Sequence, residues 1–270
     1  MRRSIRFLVS AVVAVSASVP VALAGAESAT GGVQEATGGI QAATGGIQAA
    51  TGGIQDAERV LAAARAAIAP PAEIVRVRPG HSLTLRSRPG GPAALEVAQT
   101  TDFGSPQTLG VVRRRGPWLG VTTPALPNGS VGWVHSSDPG LTVARTRWSI
   151  HADVSRRRIV LRRDGRPVRR LDVAVGRPEA PTPTGRFAVT DKLSGGRFSP
   201  YYGCCVLAMS ATQPSTPPGW TGGNRMAIHG TSDPGSIGAA SSAGCLRAAD
   251  GDLQVLMDRV PLGTPVLIRP

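Results

Sequence analysis

Ala227-Ile-His229-Gly230-Thr231-Ser-Asp-Pro234-Gly235-Ser-Ile-Gly238-Ala-Ala-Ser-Ser242-Ala243-Gly244-Cys245-Leu-Arg247 joins a histidine, a glycine-rich return and a cysteine in one stretch. His229 and Cys245 are 16 positions apart, and one continuous helix would hold them about 24 Å from each other. Gly230, Pro234, Gly235, Gly238 and Gly244 instead favour a loop that leaves a strand ending at His229 and folds back on it. Imidazole and thiol can then meet. A thiol with an ordinary pKa of about 8.5 is mostly protonated at neutral pH, and a neighbouring imidazole stabilises its thiolate, so the pair reads as an activated nucleophile.

The supporting groups follow from acyl-transfer chemistry. His229, as base and then acid, needs its ring oriented, and the Gly230 carbonyl is the expected partner. Gly244 permits a turn that presents the amides of Gly244 and Cys245 to an oxyanion, with Ser242 adding a hydroxyl. Arg247 suits either a substrate carboxylate or a structural ion pair. His81, His135 and His151 are isolated, without ligand spacing, so no metal and no cofactor are expected.

The sequence around this loop extends the pattern. From Trp148, alternating runs lead to a turn at Asp164-Gly165, a strong hairpin signal. Further strands are expected at 185–191, 204–209, 225–229 and 264–268. A helix is expected over 250–260, with Leu253, Leu256, Met257 and Val260 on one face and Pro261 ending it.

His-Gly-Thr at 229–231, then Ser-Ala-Gly-Cys-Leu-Arg at 242–247, resembles the signature of the L,D-transpeptidase catalytic domain of the YkuD type. Pro181-Thr-Pro-Thr-Gly-Arg-Phe187, the region 201–205 and the closing Pro-Leu-Gly-Thr-Pro-Val extend the resemblance over most of 147–270. The resemblance implies a mainly β fold: a C-terminal β-sandwich with one covering helix. It also implies a thioester acyl-enzyme that cross-links peptidoglycan stem peptides, and covalent inhibition by carbapenem β-lactams. Carried over residue by residue, Cys245 is the nucleophile and His229 the base. Gly230, Gly244 and Ser242 support them, while Arg247, Thr231 and Tyr202 face substrate. The family usually has His where this chain has Ala243, which bears on rate and acceptor handling. An L,D-carboxypeptidase and a decayed wall-binding scaffold are the alternatives.

Residues 1–26 read as an export signal, with Arg2, Arg3 and Arg6 before an apolar run and small residues at Ala22, Ala24 and Ala26. A secreted, cell-wall-associated protein is therefore expected. Heptads starting at Ala29, Ala36, Ala43 and Ala50 each carry one aliphatic position and a glycine pair, too little for a coiled coil. Residues 27–73 thus read as a spacer with a short helix over 56–68. Over 74–144, short β-branched runs broken by glycine and proline suggest a small β-barrel. Gly116-Pro-Trp118 and Gly132-Trp133-Val134 loosely resemble the bacterial Src-homology-3-like wall-binding module, although core packing explains the tryptophans equally well.

The formal charge of +13 favours anionic partners such as wall polymers, and export disfavours nucleic acid. Three cysteines, an odd number, leave at least one unpaired within the chain. Cys204 and Cys205 fall on an expected strand, where neighbours point to opposite faces, so a mutual bridge is disfavoured. A bridge from Cys245 to either would instead lock the nucleophile.

Overall fold

The structure, a computed structural model, describes residues 69–216, 219 and 223–270. The export signal, the heptad spacer and the helix expected at 56–68 lie outside the described residues.

The N-terminal part is one antiparallel sheet of seven strands: β1 (Ala72–Val77), β2 (Leu83–Arg86), β3 (Ala93–Val97), β4 (Thr108–Arg115), β5 (Trp118–Thr122), β6 (Gly132–His135) and β7 (Leu141–Thr146). They lie in the order β3-β2-β6-β5-β4-β1-β7, so the edge strands β3 and β7 are not hydrogen-bonded to each other. A small β-barrel was the expectation. The strands form one unit in the sense that a single cluster drawn from all seven, including Val75, Leu83, Val97, Leu109, Leu119, Val134 and Leu141, is buried together. Trp133 is buried, with the Arg115 guanidinium 5.5 Å from its ring centre. Trp118 packs edge-on to His135 at 5.0 Å.

The C-terminal domain is an eight-stranded mixed sheet: β8 (Trp148–Asp153), β9 (Arg158–Arg163), β10 (Arg166–Asp172), β12 (Gly185–Ser194), β13 (Cys205–Thr212), β14 (Arg225–His229), β16 (Leu246–Arg247) and β17 (Pro265–Arg269). A short parallel pair, β11 (Val175–Gly176) with β15 (Ala240–Ser242), lies beside it. Asp164 and Gly165 both take positive φ, 53° and 77°, the type I′ geometry that matches strand twist in the β9–β10 hairpin.

Strand β12 makes the corner. Its first half, Gly185 to Ala188, pairs with β17, and its second half, from Val189, pairs with β13. The sheet therefore folds into two layers. Ile150, Ile159 and Leu161 from one layer meet Leu207, Met209 and Ile228 from the other in a shared core. Helix α1 (Asp250–Arg259) adds Leu253 and Leu256 to that core, and Val260 follows them.

Polar clamps join the two parts. Asn128 donates through Nδ2 to the Thr212 carbonyl at 2.6 Å and accepts from the Thr212 N–H at 3.0 Å, while Ser210 Oγ donates to Thr122 Oγ1 at 3.1 Å. Each such bond contributes about 0.5–1.5 kcal/mol net, and losing one partner costs more where the other is buried. Asn128 belongs to the turn at Asn128-Gly129, so one turn residue also ties the N-terminal sheet to the end of β13.

Candidate active site

Strands β14 and β16 run parallel, with Ile228 opposite Leu246 and His229 opposite Arg247. One step back in that register sets Cys245 beside Ala227. Ala227 and His229 are two apart on one strand and share a face, so thiol and imidazole project to the same side. Both line one cleft together with Tyr201, Tyr202, Ala243 and several apolar side chains.

The Gly230 carbonyl accepts a hydrogen bond from His229 Nδ1 at 2.6 Å. That bond makes Nδ1 the protonated nitrogen of the neutral ring and leaves the Nε2 lone pair to accept a proton. Burial is the main cause that lowers the His229 pKa to about 4; the Gly230 bond opposes it and the Arg247 charge adds to it. Burial likewise pushes the Cys245 thiol up to about 11, against a backbone hydrogen bond from Ala227 and the Arg247 charge, although the residue stays partly exposed to the cleft. Desolvation thus disfavours both charged forms. At neutral pH both shifts favour neutral imidazole and thiol in the resting pair, which suits His229 as a base that acts during attack.

The turn that presents Cys245 is held from within. Ser242 Oγ donates to the Cys245 carbonyl at 2.6 Å and accepts from the Gly244 N–H at 3.0 Å. Thr182 Oγ1 donates to the Gly244 carbonyl at 2.7 Å, and Gln213 Nε2 donates to the carbonyls of Ala243 at 3.0 Å and Pro181 at 3.1 Å. Gly244 has φ +116°, and a Cβ there would collide with Gln213 Nε2.

These bonds correct two expectations. The Gly244 amide is spent inside the turn rather than aimed at an oxyanion, which leaves the amide of Cys245 from the expected pair. Ser242 is buried and faces its own turn, because its hydroxyl closes two backbone bonds there.

Among residues expected to face substrate, Tyr202 lines the cleft, with its ring 4.9 Å from that of His229. Thr231 does not. Its N–H donates to Asp250 Oδ1 at 3.2 Å, its hydroxyl donates to the Asp233 carbonyl at 3.3 Å, and the side chain is buried in that local turn. Arg247 is buried beneath Tyr201, 5.8 Å from its ring centre, and donates to Ser241 Oγ at 2.5 Å. No acidic side chain among the described residues pairs with it, so the ion-pair alternative is not realised.

Cys204 and Cys205 form a disulfide with each other, with Cα atoms 3.7 Å apart, and Cys245 is free. The expectation of opposite faces fails because β13 begins at Cys205. Cys204 still belongs to the turn after Gly203, whose φ of +59° bends the chain out of strand geometry. A lock through Cys245 is thereby absent from this structure.

Asp250, Gln213, Phe198 and Phe103 escaped the sequence reading. Asp250 takes the Cys204 N–H on Oδ2 at 3.0 Å and the Thr231 N–H on Oδ1. It pins the two loops on either side of His229-Gly230, and a Cβ on Gly230 would collide with it. A carboxylate in the first turn of a helix was a visible N-terminal signal; its loop partners were not. Among the described residues, no group of His, Cys, Asp or Glu is placed to hold a metal ion.

The sequence model of the L,D-transpeptidase catalytic domain, YkuD, matches residues 147–268. YkuD of Bacillus subtilis is 32% identical over 133 residues, which cover 48% of this chain and 71% of the relative. YkuD of Bacillus licheniformis is 35% identical over 107 residues, covering 39% of this chain and 55% of the relative. Among solved structures, the LD transpeptidase LdtMt1 in complex with imipenem overlaps 72% of this chain and 82% of its own, with 16% identity and a TM-score of 0.39. The matched span is the domain whose strands bring His229 and Cys245 into one cleft, and on that match the chain belongs to the L,D-transpeptidase family.

Proposed function

We propose that the chain is an exported peptidoglycan L,D-transpeptidase that cross-links stem peptides through a thioester on Cys245. The observation that carries this reading is that Cys245 and His229 line one cleft, with the His229 Nδ1 committed to the Gly230 carbonyl, which leaves Nε2 to accept a proton.

In this reading the donor peptide enters with its scissile carbonyl over the sulfur. As Sγ attacks, the thiol proton passes to His229 Nε2, and the Cys245 amide steadies the developing oxyanion. The C–N bond to the terminal D-alanine then breaks. His229 returns the proton to the leaving amine, and the acyl group remains as a thioester. The side-chain amine of a second stem attacks that thioester, gives its proton to His229, and releases Cys245 as a thiolate that regains the proton from the imidazole. Each cycle balances without a cofactor.

The two shifted pKa values support base catalysis during attack rather than a standing ion pair, since a base near 4 and a thiol near 11 leave the charged pair far uphill until substrate arrives. Arg247 lies beneath Tyr201 and outside the lining of the cleft, and its charge favours the thiolate form of Cys245 as the sulfur attacks. Incubation of the protein with a stem tetrapeptide and an amine acceptor tests the reading. New dimers with release of D-alanine support cross-linking, and trimmed tripeptides without dimers replace it with hydrolysis. An unchanged tetrapeptide contradicts both.

A further inference from the structure

Three consecutive residues of the N-terminal part, Thr101, Asp102 and Phe103, each reach the C-terminal domain beside the cleft. The hydroxyl of Thr101 donates to the carboxylate of Asp191, which is fully buried. Asp102 pairs with Arg225 at 3.3 Å. The Phe103 ring has the Arg225 guanidinium 5.5 Å from its centre and meets the Phe198 ring edge-on at 6.0 Å. Thr101 also fixes the loop internally, since its Oγ1 accepts the N–H groups of Phe103 at 3.3 Å and Ser105 at 3.2 Å.

Phe103 is thereby delivered onto a patch that belongs to the cleft. Leu193, Val206 and Ala227 form a small apolar cluster there, and Phe103, Tyr202 and Cys245 pack against it. Phe198, at the same wall, is one of the few large apolar side chains left exposed. A surface of this composition, next to a nucleophile and open to solvent, gains free energy only when an apolar group covers it.

We propose that Phe103 is a specificity-determining residue. With Phe198 and the cluster of Leu193, Val206 and Ala227 it forms an apolar subsite that takes the aliphatic side chain of the donor peptide next to the scissile bond. The N-terminal part is then a wall of the substrate cleft as well as whatever it binds elsewhere. The proposal rests on the peptide-donor reading above, and it requires only that the donor carry an alkyl segment within reach of the thiol.

The test is steady-state kinetics of the full chain with a stem tetrapeptide, comparing Phe103→Ala and Phe103→Leu with the unaltered protein. In parallel, the rate of Cys245 alkylation by iodoacetamide reports the nucleophile without using the subsite. The expected result is a kcat/KM about tenfold lower for Phe103→Ala, carried by KM, with Phe103→Leu recovering most of it and alkylation rates within twofold of each other. An unchanged KM in Phe103→Ala overturns the proposal. So does a loss that Phe103→Leu shares in full, or one matched by slower alkylation, because Phe103 would then act only by sealing the two parts together. If Phe103→Ala does not fold, Phe103→Leu and Phe198→Ala carry the same comparison. If the unaltered protein turns over no peptide at all, the functional reading has failed. Calorimetric binding of the tetrapeptide to Cys245→Ala, with and without the Phe103 change, then decides the subsite separately.

Discussion

The turn that carries Cys245 and the loop that carries Phe103 reach the same cleft by different means. The first is self-contained: Ser242, Gly244 and Cys245 bond to one another within four residues, and Gln213 and Thr182 only brace them. The second is braced within by Thr101, but its seat on the cleft comes from outside, from a buried carboxylate and a guanidinium on β12 and β14. A geometry encoded locally leaves a signature in the sequence, while one encoded by distant partners leaves none. The cleft thus has a legible half and a hidden half, and the two should respond differently to substitution.

The largest effect belongs to the local half. Replacing His229 by Ala removes the proton acceptor and should lower kcat by about a thousandfold, within the range of lost general-base catalysis, measured by D-alanine release. A fall of less than tenfold would mean that the base lies elsewhere. Gly244→Ala comes next. At φ +116° and with Gln213 Nε2 in the way, the turn must move, and we expect about 2–3 kcal/mol lost in denaturant unfolding together with at least a hundredfold slower Cys245 alkylation.

The pH profile sharpens the contrast through His229. Its folded pKa of about 4 lies below the ordinary 6.5, so between those values the unfolded chain binds more protons and stability rises with pH. The contribution of neutral His229 is complete above 6.5 and is lost as pH falls toward 4, amounting to about 3 kcal/mol. Unfolding titrations should show that slope, and His229→Asn should flatten it. The smallest effect belongs to the hidden half. Asp102 is largely exposed in its pair with Arg225, so Asp102→Ala should change unfolding free energy by less than about 0.5 kcal/mol. A loss above 1.5 kcal/mol would show that the distant contacts hold far more than their exposure implies.

The same division runs through the fold. Asp164-Gly165, the alternation of Ile159 and Leu161, and the Leu253–Leu256 face of α1 are local patterns, and each produced its hairpin, strand or helix. Strands β15 and β16 are three and two residues long, too short for any period to register, yet β16 sets Cys245 beside Ala227. Alternation along β1 to β7 reports a buried face of the N-terminal sheet and says nothing of whether the last strand meets the first. Cys204 and Cys205 were misread for a related reason: strand alternation was assumed one residue before the strand begins. His229 and Cys245 were legible because their residue types and the glycines between them carry chemistry as well as geometry. Asp250 and Phe103 act through loops brought near them only by folding.

One measurement bears on the centre of the account most directly. The protein is exposed to imipenem and its intact mass is recorded, followed by mapping of the modified peptide. The account predicts a single covalent adduct on Cys245, formed in the unaltered chain, absent in Cys245→Ala and strongly slowed in His229→Ala. An adduct that survives Cys245→Ala, or an unmodified Cys245 in a folded chain, would contradict it.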